Sequence, residues 1–174
     1  NTLTNGLAQG TVVEGYDRFN VTQAQITGLM FVDRVLGTSR LTLIGELAAN
    51  HIHGFKDADE GGIRYGRASE FGQTGTEGFI TQNSWGYRAR AVFAYPDVFA
   101  GINLSPSIAW SHDVGGYSPV NTGFVEGRKA LSVGLTGEYR NTYTAGLSYT
   151  RFSGGEYDTL ADRDFVSATL GISF

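Results

Sequence analysis

Hydrophobic and polar residues alternate along most of this chain with a period of two, the spacing that sends successive side chains to opposite faces of a β-strand. From Trp85 to Tyr95 one face reads Trp85, Tyr87, Ala89, Ala91, Phe93, Tyr95, and the other Gly86, Arg88, Arg90, Val92, Ala94. The pattern resumes with Ile102, Leu104, Pro106, Ile108 and Trp110 against Asn103, Ser105, Ser107, Ala109 and Ser111. Leu131, Val133, Leu135 and Tyr139 then oppose Ser132, Gly134, Thr136 and Glu138. Tyr143, Ala145, Leu147 and Tyr149 oppose Thr144, Gly146, Ser148 and Thr150. The chain closes on Val166, Ala168, Leu170, Ile172 and Phe174 against Ser167, Thr169, Gly171 and Ser173. Two earlier segments are noisier: Ala24, Ile26, Met30 and Val32 oppose Gln23, Gln25 and Thr27, and Leu41, Leu43, Leu47 and Ala49 oppose Thr42, Glu46 and Asn50. The pattern predicts strands near 20–32, 40–53, 85–95, 101–112, 129–139, 142–152 and 165–174. These are longer than the ~5–6 residues usual in soluble sheets.

The connections alternate in length. Those at Arg34–Ser39, Pro96–Phe99 and Arg140-Asn141 are short, whereas 54–84, 113–128 and 153–163 are long, Gly-rich and acidic. Tight turns on one side and extended loops on the other are the habit of outer-membrane β-barrels. The loop 54–84 reads as one large external loop, with Ile63–Arg67 as a possible prolongation of a strand.

Composition sharpens this reading. Only 17% of the residues are charged, Lys occurs at Lys56 and Lys129 alone, and Tyr and Phe number 9 and 11. A water-soluble domain covers its surface with roughly 25–35% charged residues. A soluble, lipocalin-like barrel of this length would carry Lys and Glu on the outward face of most strands, and that face is missing here. The polar positions are mostly Ser, Thr, Gly, Ala, Asn and Gln, which suit a wet lumen. On the apolar face, Trp85, Tyr95, Trp110, Tyr139, Tyr143, Tyr149 and Phe174 fall near strand ends, where the bilayer interface favours aromatic rings. No apolar run approaches the ~18 residues of a membrane-spanning helix; the longest is Leu29-Met30-Phe31-Val32. A net charge of −4 gives no reason to expect a nucleic-acid partner, and the absence of Cys excludes disulfides and thiolate chemistry.

Candidate chemistry is sparse. Glu46, Arg88, Arg90 and Glu138 fall on the polar face, where they either tune passage of solute through a lumen or brace it as an ion-pair lattice. Glu46 is expected across from Arg90 on the neighbouring strand. Ser111-His112-Asp113 has the composition of a catalytic triad, but adjacent strand residues project to opposite faces, so a strand running into a loop is the better reading. His51 and His53 share a face at strand spacing without an assignable third metal ligand. Asp57, Asp59 and Glu60 lack the spacing of a calcium loop and read as a solvated acidic loop. Neither G-x-S-x-G nor H-E-x-x-H occurs. No enzyme activity, cofactor or metal is expected.

Several stretches resemble a domain-of-unknown-function family of large proteobacterial outer-membrane proteins. They are Val21-Thr22-Gln23-Ala24-Gln25, Ser84-Trp85-Gly86-Tyr87-Arg88, Asn103-Leu104-Ser105-Pro106, Ala109-Trp110-Ser111-His112-Asp113-Val114, Glu126-Gly127-Arg128-Lys129-Ala130 and Asp162-Arg163-Asp164-Phe165-Val166 running on to Phe174. Asn-Leu-Ser-Pro and Trp-Ser-His-Asp in series are the more specific matches. The resemblance implies a location in the bacterial outer membrane, among lipid bilayer and lipopolysaccharide. It also implies traffic in hydrophobic compounds with a periplasmic lipid-binding partner and an inner-membrane exporter. Knowledge of such families makes Val166, Ala168, Leu170, Ile172 and Phe174 a signal read by the outer-membrane assembly machinery.

The expectation is therefore one antiparallel transmembrane β-barrel domain over 1–174 that serves porin-like or partner-assisted passage of small or hydrophobic compounds. A non-conducting structural or assembly barrel is the alternative, and an outer-membrane lipid hydrolase the second. With Phe174 on the periplasmic side, seven strands place the chain start outside, whereas single-chain bacterial barrels have even strand numbers. Either Leu7–Gly15 supplies a weak eighth strand, or, the favoured reading, this is the C-terminal portion of a larger barrel.

Overall fold

The computed structural model describes residues 10, 12, 16–119 and 123–174. It is all-β. Seven strands form one sheet in sequence order, each antiparallel to its neighbours. They are β1 (Val21–Asp33), β2 (Arg40–Ile52), β3 (Asn83–Phe99), β4 (Ile102–Gly115), β5 (Lys129–Tyr139), β6 (Tyr143–Ser153) and β7 (Phe165–Ile172). Among the described residues no α-helix occurs, and the only helical turns are short 3-10 segments at Ala58–Glu60 and Ser69–Phe71. Ile63–Arg67 is irregular and prolongs no strand. The stretch Leu7–Gly15, weighed as an eighth strand, lies outside the described residues save for Gly10 and Val12.

The hairpin turns follow from local backbone chemistry. Arg140 and Asn141 both hold positive φ, 53° and 54°, as a two-residue hairpin loop with the right twist requires. The β3–β4 turn is not at Pro96–Phe99, as the sequence suggested, but at Ala100 and Gly101, whose φ values are 52° and 82°. Pro96 belongs to β3, inside a register irregularity between Tyr95 and Phe99. A bulge is where a residue without an N–H costs the ladder least. Asn103 Oδ1 accepts the Asp97 N–H at 3.0 Å, and Asp97 Oδ1 accepts the Gly101 N–H at 3.0 Å, which closes the turn.

Register sorts the side chains. Ile26, Leu47, Tyr87 and His112 align across β1–β4, as do Met30, Leu43, Ala91, Ile108, Val133, Tyr149 and Val166 across all seven strands. These rows belong to the apolar face. The rows of the other face read Thr27, Glu46, Arg88, Ser111, Ala130, Phe152 and, two positions along, Arg90, Ala109, Ser132, Thr150, Phe165. Hydroxyls and glycines dominate it over β4–β7, while Leu29, Phe31, Ile44 and Val92 make a local apolar cluster towards the β1–β2 turn.

Among the described residues the buried hydrophobic ones are Ile52, Phe55, Ala58 and Phe79, all at the long-loop end. None of the described residues covers the apolar face: Ile26 is 69% exposed, Leu147 59% and Leu170 87%. In water an element's apolar face must be buried against a second layer, and no second layer exists among the described residues. The expected closure is also not found. β1 pairs with β2 alone and β7 with β6 alone, so the sheet is open at both edges. With seven antiparallel strands, β1 and β7 run in the same direction, and a direct β1–β7 seam would have to be parallel.

Candidate functional site

The polar face at the long-loop end carries the charge and the cavities. Glu46 on β2 stands directly opposite Arg88 on β3, not opposite Arg90 as expected; Arg90 faces Ile44. A two-residue slip leaves every side chain on its own face, so alternation alone does not choose between these registers. Glu46 does not pair with Arg88. Its Oε2 accepts hydrogen bonds from Gln25 Nε2 at 2.7 Å and Thr27 Oγ1 at 3.4 Å, which draw the carboxylate towards β1. Among the described residues, neither Arg88 nor Arg90 lies within 4.0 Å of a carboxylate. Both are exposed. Glu138 is on the same face but far down the sheet, in a row with Asn103 and Thr144. The four charges therefore make no lattice.

Above the arginines the long loops interlock. Asp113, on the polar face at the end of β4, is 5% exposed at its side chain and meets Arg128 Nη2 at 2.6 Å. Asp113 Oδ2 also accepts Arg128 Nε at 2.7 Å and the Val125 N–H at 3.1 Å. Asp158, from the β6–β7 loop, lies 3.9 Å from Arg128 Nη1. The loop 53–82 is organised around Arg67, whose guanidinium donates to the carbonyls of Phe71, Gly72, Thr74 and Glu77. The same guanidinium is 4.7 Å from the Phe79 ring centre and 4.9 Å from that of Tyr157. Tyr157 also packs edge-on against Phe71 at 5.7 Å and Tyr117 at 6.1 Å, so one ring joins all three long loops. A Cβ at Gly78 would stand 2.4 Å from the Tyr157 ring, and the position has φ +73°. Burial, with Glu126 next, pushes the Tyr117 phenol up to about 12.

Beneath this cap lies a cavity of about 820 Å³ whose lining includes Arg88, Ser111, Tyr117, Phe124, Arg128 and Phe152. A second of about 330 Å³ continues along the polar face past Glu46, Arg88, Arg90 and Ser132. A third of about 320 Å³ runs from Arg88 towards Gln25 and Asn50. Arg88 lines all three.

The remaining candidates separate. Ser111 and Asp113 share the polar face with Arg88 and Gly86, whereas His112 pairs with Tyr87 on the apolar face, so the three form no triad. His51 and His53 touch edge to face at 4.7 Å, but His51 Nδ1 meets Asn83 Oδ1 and His53 Nε2 meets Thr22 Oγ1, each at 2.8 Å. Asp57 Oδ1 accepts the Gln82 N–H at 2.5 Å, which is structural work. No group of three or more potential metal ligands occurs among the described residues. Trp85, Tyr95, Trp110, Tyr139, Tyr143 and Tyr149 all fall on the apolar face. Trp110 Nε1 donates to Tyr87 Oη at 3.3 Å, Tyr95 Oη to the Leu36 carbonyl at 3.2 Å, and Tyr149 Oη to Asp164 Oδ2 at 2.6 Å. Tyr139 stacks on Tyr143 at 6.4 Å. Val166, Ala168, Leu170 and Ile172 line the apolar face of β7, and Phe174 lies past its end.

Sequence reasoning missed Arg67, Tyr117, Arg128, Tyr157 and Asp158. Only Arg128 had a signal, as part of the stretch Glu126 to Ala130 that carries the family resemblance; it lies just before β5.

No curated protein and no solved structure matches the chain. One family model matches it over its whole length, residues 1–174, and the chain belongs to that family, described as "Protein of unknown function (DUF1302)".

Proposed function

We propose that this chain forms part of the wall of a bacterial outer-membrane β-barrel that lets small or hydrophobic compounds pass, alone or with a periplasmic lipid-binding partner. The observation that carries the reading is the uncovered apolar face, set against buried hydrophobic residues that, among the described residues, occur only at the long-loop end. Lipid satisfies such a face; water does not. Strands of 11–17 residues for β1–β6 reach or exceed the ~9–11 that a tilted transmembrane strand needs, and β7 has 8. In lipid the open edges of β1 and β7 must be paired, and because the two strands run the same way, a wholly antiparallel closure takes an odd number of further strands. In this reading the apolar side of β7, with Phe174 beyond it, is presented to the assembly machinery, and the long loops lie among lipopolysaccharide.

The test is conductance of the full-length polypeptide in a planar bilayer. Discrete channels whose selectivity changes when Arg88 and Arg90 are neutralised support passage. Unchanged conductance and selectivity in that double variant refute it. A second reading, a non-conducting structural barrel, is favoured by the loop cap tied together at Tyr157. It predicts a folded, lipid-inserted protein with no channels.

A further inference from the structure

We propose that the 820 Å³ cavity under the loop cap binds an amphipathic organic anion, its carboxylate at Arg88 and its apolar body against Phe124 and Phe152. The proposal rests on the polar face being the inner one and names the class of compound that this site would take.

The volume falls in the range of small-molecule sites, ~300–1,000 Å³. Its charged lining is unequal in kind. Arg128 is committed to Asp113 and Arg67 to four loop carbonyls and two rings. The carboxylates Asp113 and Asp158 both face Arg128. Arg88 alone of the three guanidiniums has no partner among the described residues, because Gln25 and Thr27 hold the one carboxylate opposite it. A guanidinium with its donor fork free is suited to a carboxylate.

An apolar wall is built beside it. Gly86 lies two residues from Arg88 on the same face, and a Cβ there would stand 3.0 Å from the Phe124 ring and 2.7 Å from the His112 carbonyl oxygen. Only glycine lets Phe124 lie down on the sheet next to the cation. Phe152 lies in the same row as Arg88 and Ser111, three strands away from Arg88, and Ile80 adds a further apolar side chain from the first loop. The phenol of Tyr117 keeps its proton far above neutral pH, so it offers a donor and no competing negative charge.

The test uses the full-length protein folded in lipid nanodiscs, with folding checked by β-sheet circular dichroism and heat-modifiable gel mobility. The probes are octanoate, octanol and acetate. Saturable octanoate binding at least about tenfold tighter than acetate or octanol is expected, because only octanoate supplies both charge and apolar body. Arg88→Gln weakens octanoate about tenfold or more, Arg88→Lys retains part of the affinity, and Arg140→Gln, at the β5–β6 turn and outside this cavity, changes it less than about twofold. Phe124→Ser weakens octanoate and leaves acetate unchanged. If the folded, lipid-inserted protein binds octanoate no better than acetate, or if Arg88→Gln leaves binding intact, the anion site is wrong while the barrel reading stands. If the protein does not insert into lipid at all, the barrel reading itself falls.

Discussion

Glu46 and Arg88 stand opposite each other on adjacent strands, yet the carboxylate turns to Gln25 and Thr27 and leaves the guanidinium open on the polar face. Opposite charges directly across a sheet ordinarily gain ~0.2–1 kcal/mol from pairing. The geometry forgoes that gain and keeps a cation in the lining of three cavities.

Neutralising that cation therefore changes transport more than stability. Arg88→Gln together with Arg90→Gln is expected to lower the anion-to-cation permeability ratio by about twofold or more, read as a shift in reversal potential under a salt gradient. The melting temperature should stay nearly constant, since neither side chain is buried or ion-paired among the described residues. Glu46→Gln should shift the same ratio the other way.

The Asp113–Arg128 pair behaves oppositely. Both side chains are largely buried, so Arg128→Ala strands two carboxylates, Asp113 and Asp158, without a counter-ion. Removing one partner of a buried pair costs about 3–5 kcal/mol. Hydrogen exchange of the amides of Val125 and Gly127, which bond Asp113, should accelerate accordingly.

Tyr157 ties the loops to one another. Tyr157→Ala removes its contacts with Arg67, Phe71 and Tyr117, worth about 1–2 kcal/mol together after partial exposure is allowed for. Limited proteolysis within 53–82 should become faster while the strands stay protected. Gly78→Val should have the same effect from the other side, by displacing the ring.

Acid sensitivity at the rim should trace to Asp164. Hydrogen bonds from the Tyr149 phenol and then the Phe152 N–H hold its carboxyl below the ordinary 3.8. A depressed carboxyl stabilises the folded state above its unfolded value, and that contribution is lost as pH falls from 3.8 through the folded value. Asp164→Asn should remove this part of the acid transition, measured as loop 154–164 proteolysis against pH.

The strands were legible because period-two alternation is a local signal: Leu131 to Tyr139 and Tyr143 to Tyr149 set their own faces whatever lies beyond them. Pro96 misled, since a bulge absorbs the proline that otherwise marks a turn. The Glu46 register differs from the expected one by two residues because period-two alternation is unchanged by such a shift. The cap was illegible for a different reason. Arg67 is held by backbone carbonyls, which have no sequence signature, and by Tyr157, which is brought to it from the other end of the chain.

The central claim concerns which face meets lipid, and a chain without cysteine allows it to be read residue by residue. A fluorophore on a single introduced cysteine at Leu135→Cys, Leu147→Cys or Val166→Cys, in brominated-lipid vesicles, should be strongly quenched. The same label at Thr136→Cys, Ser148→Cys or Ser167→Cys should be unquenched and open to water-soluble quenchers. The reverse alternation, or no alternation at all, would contradict the account.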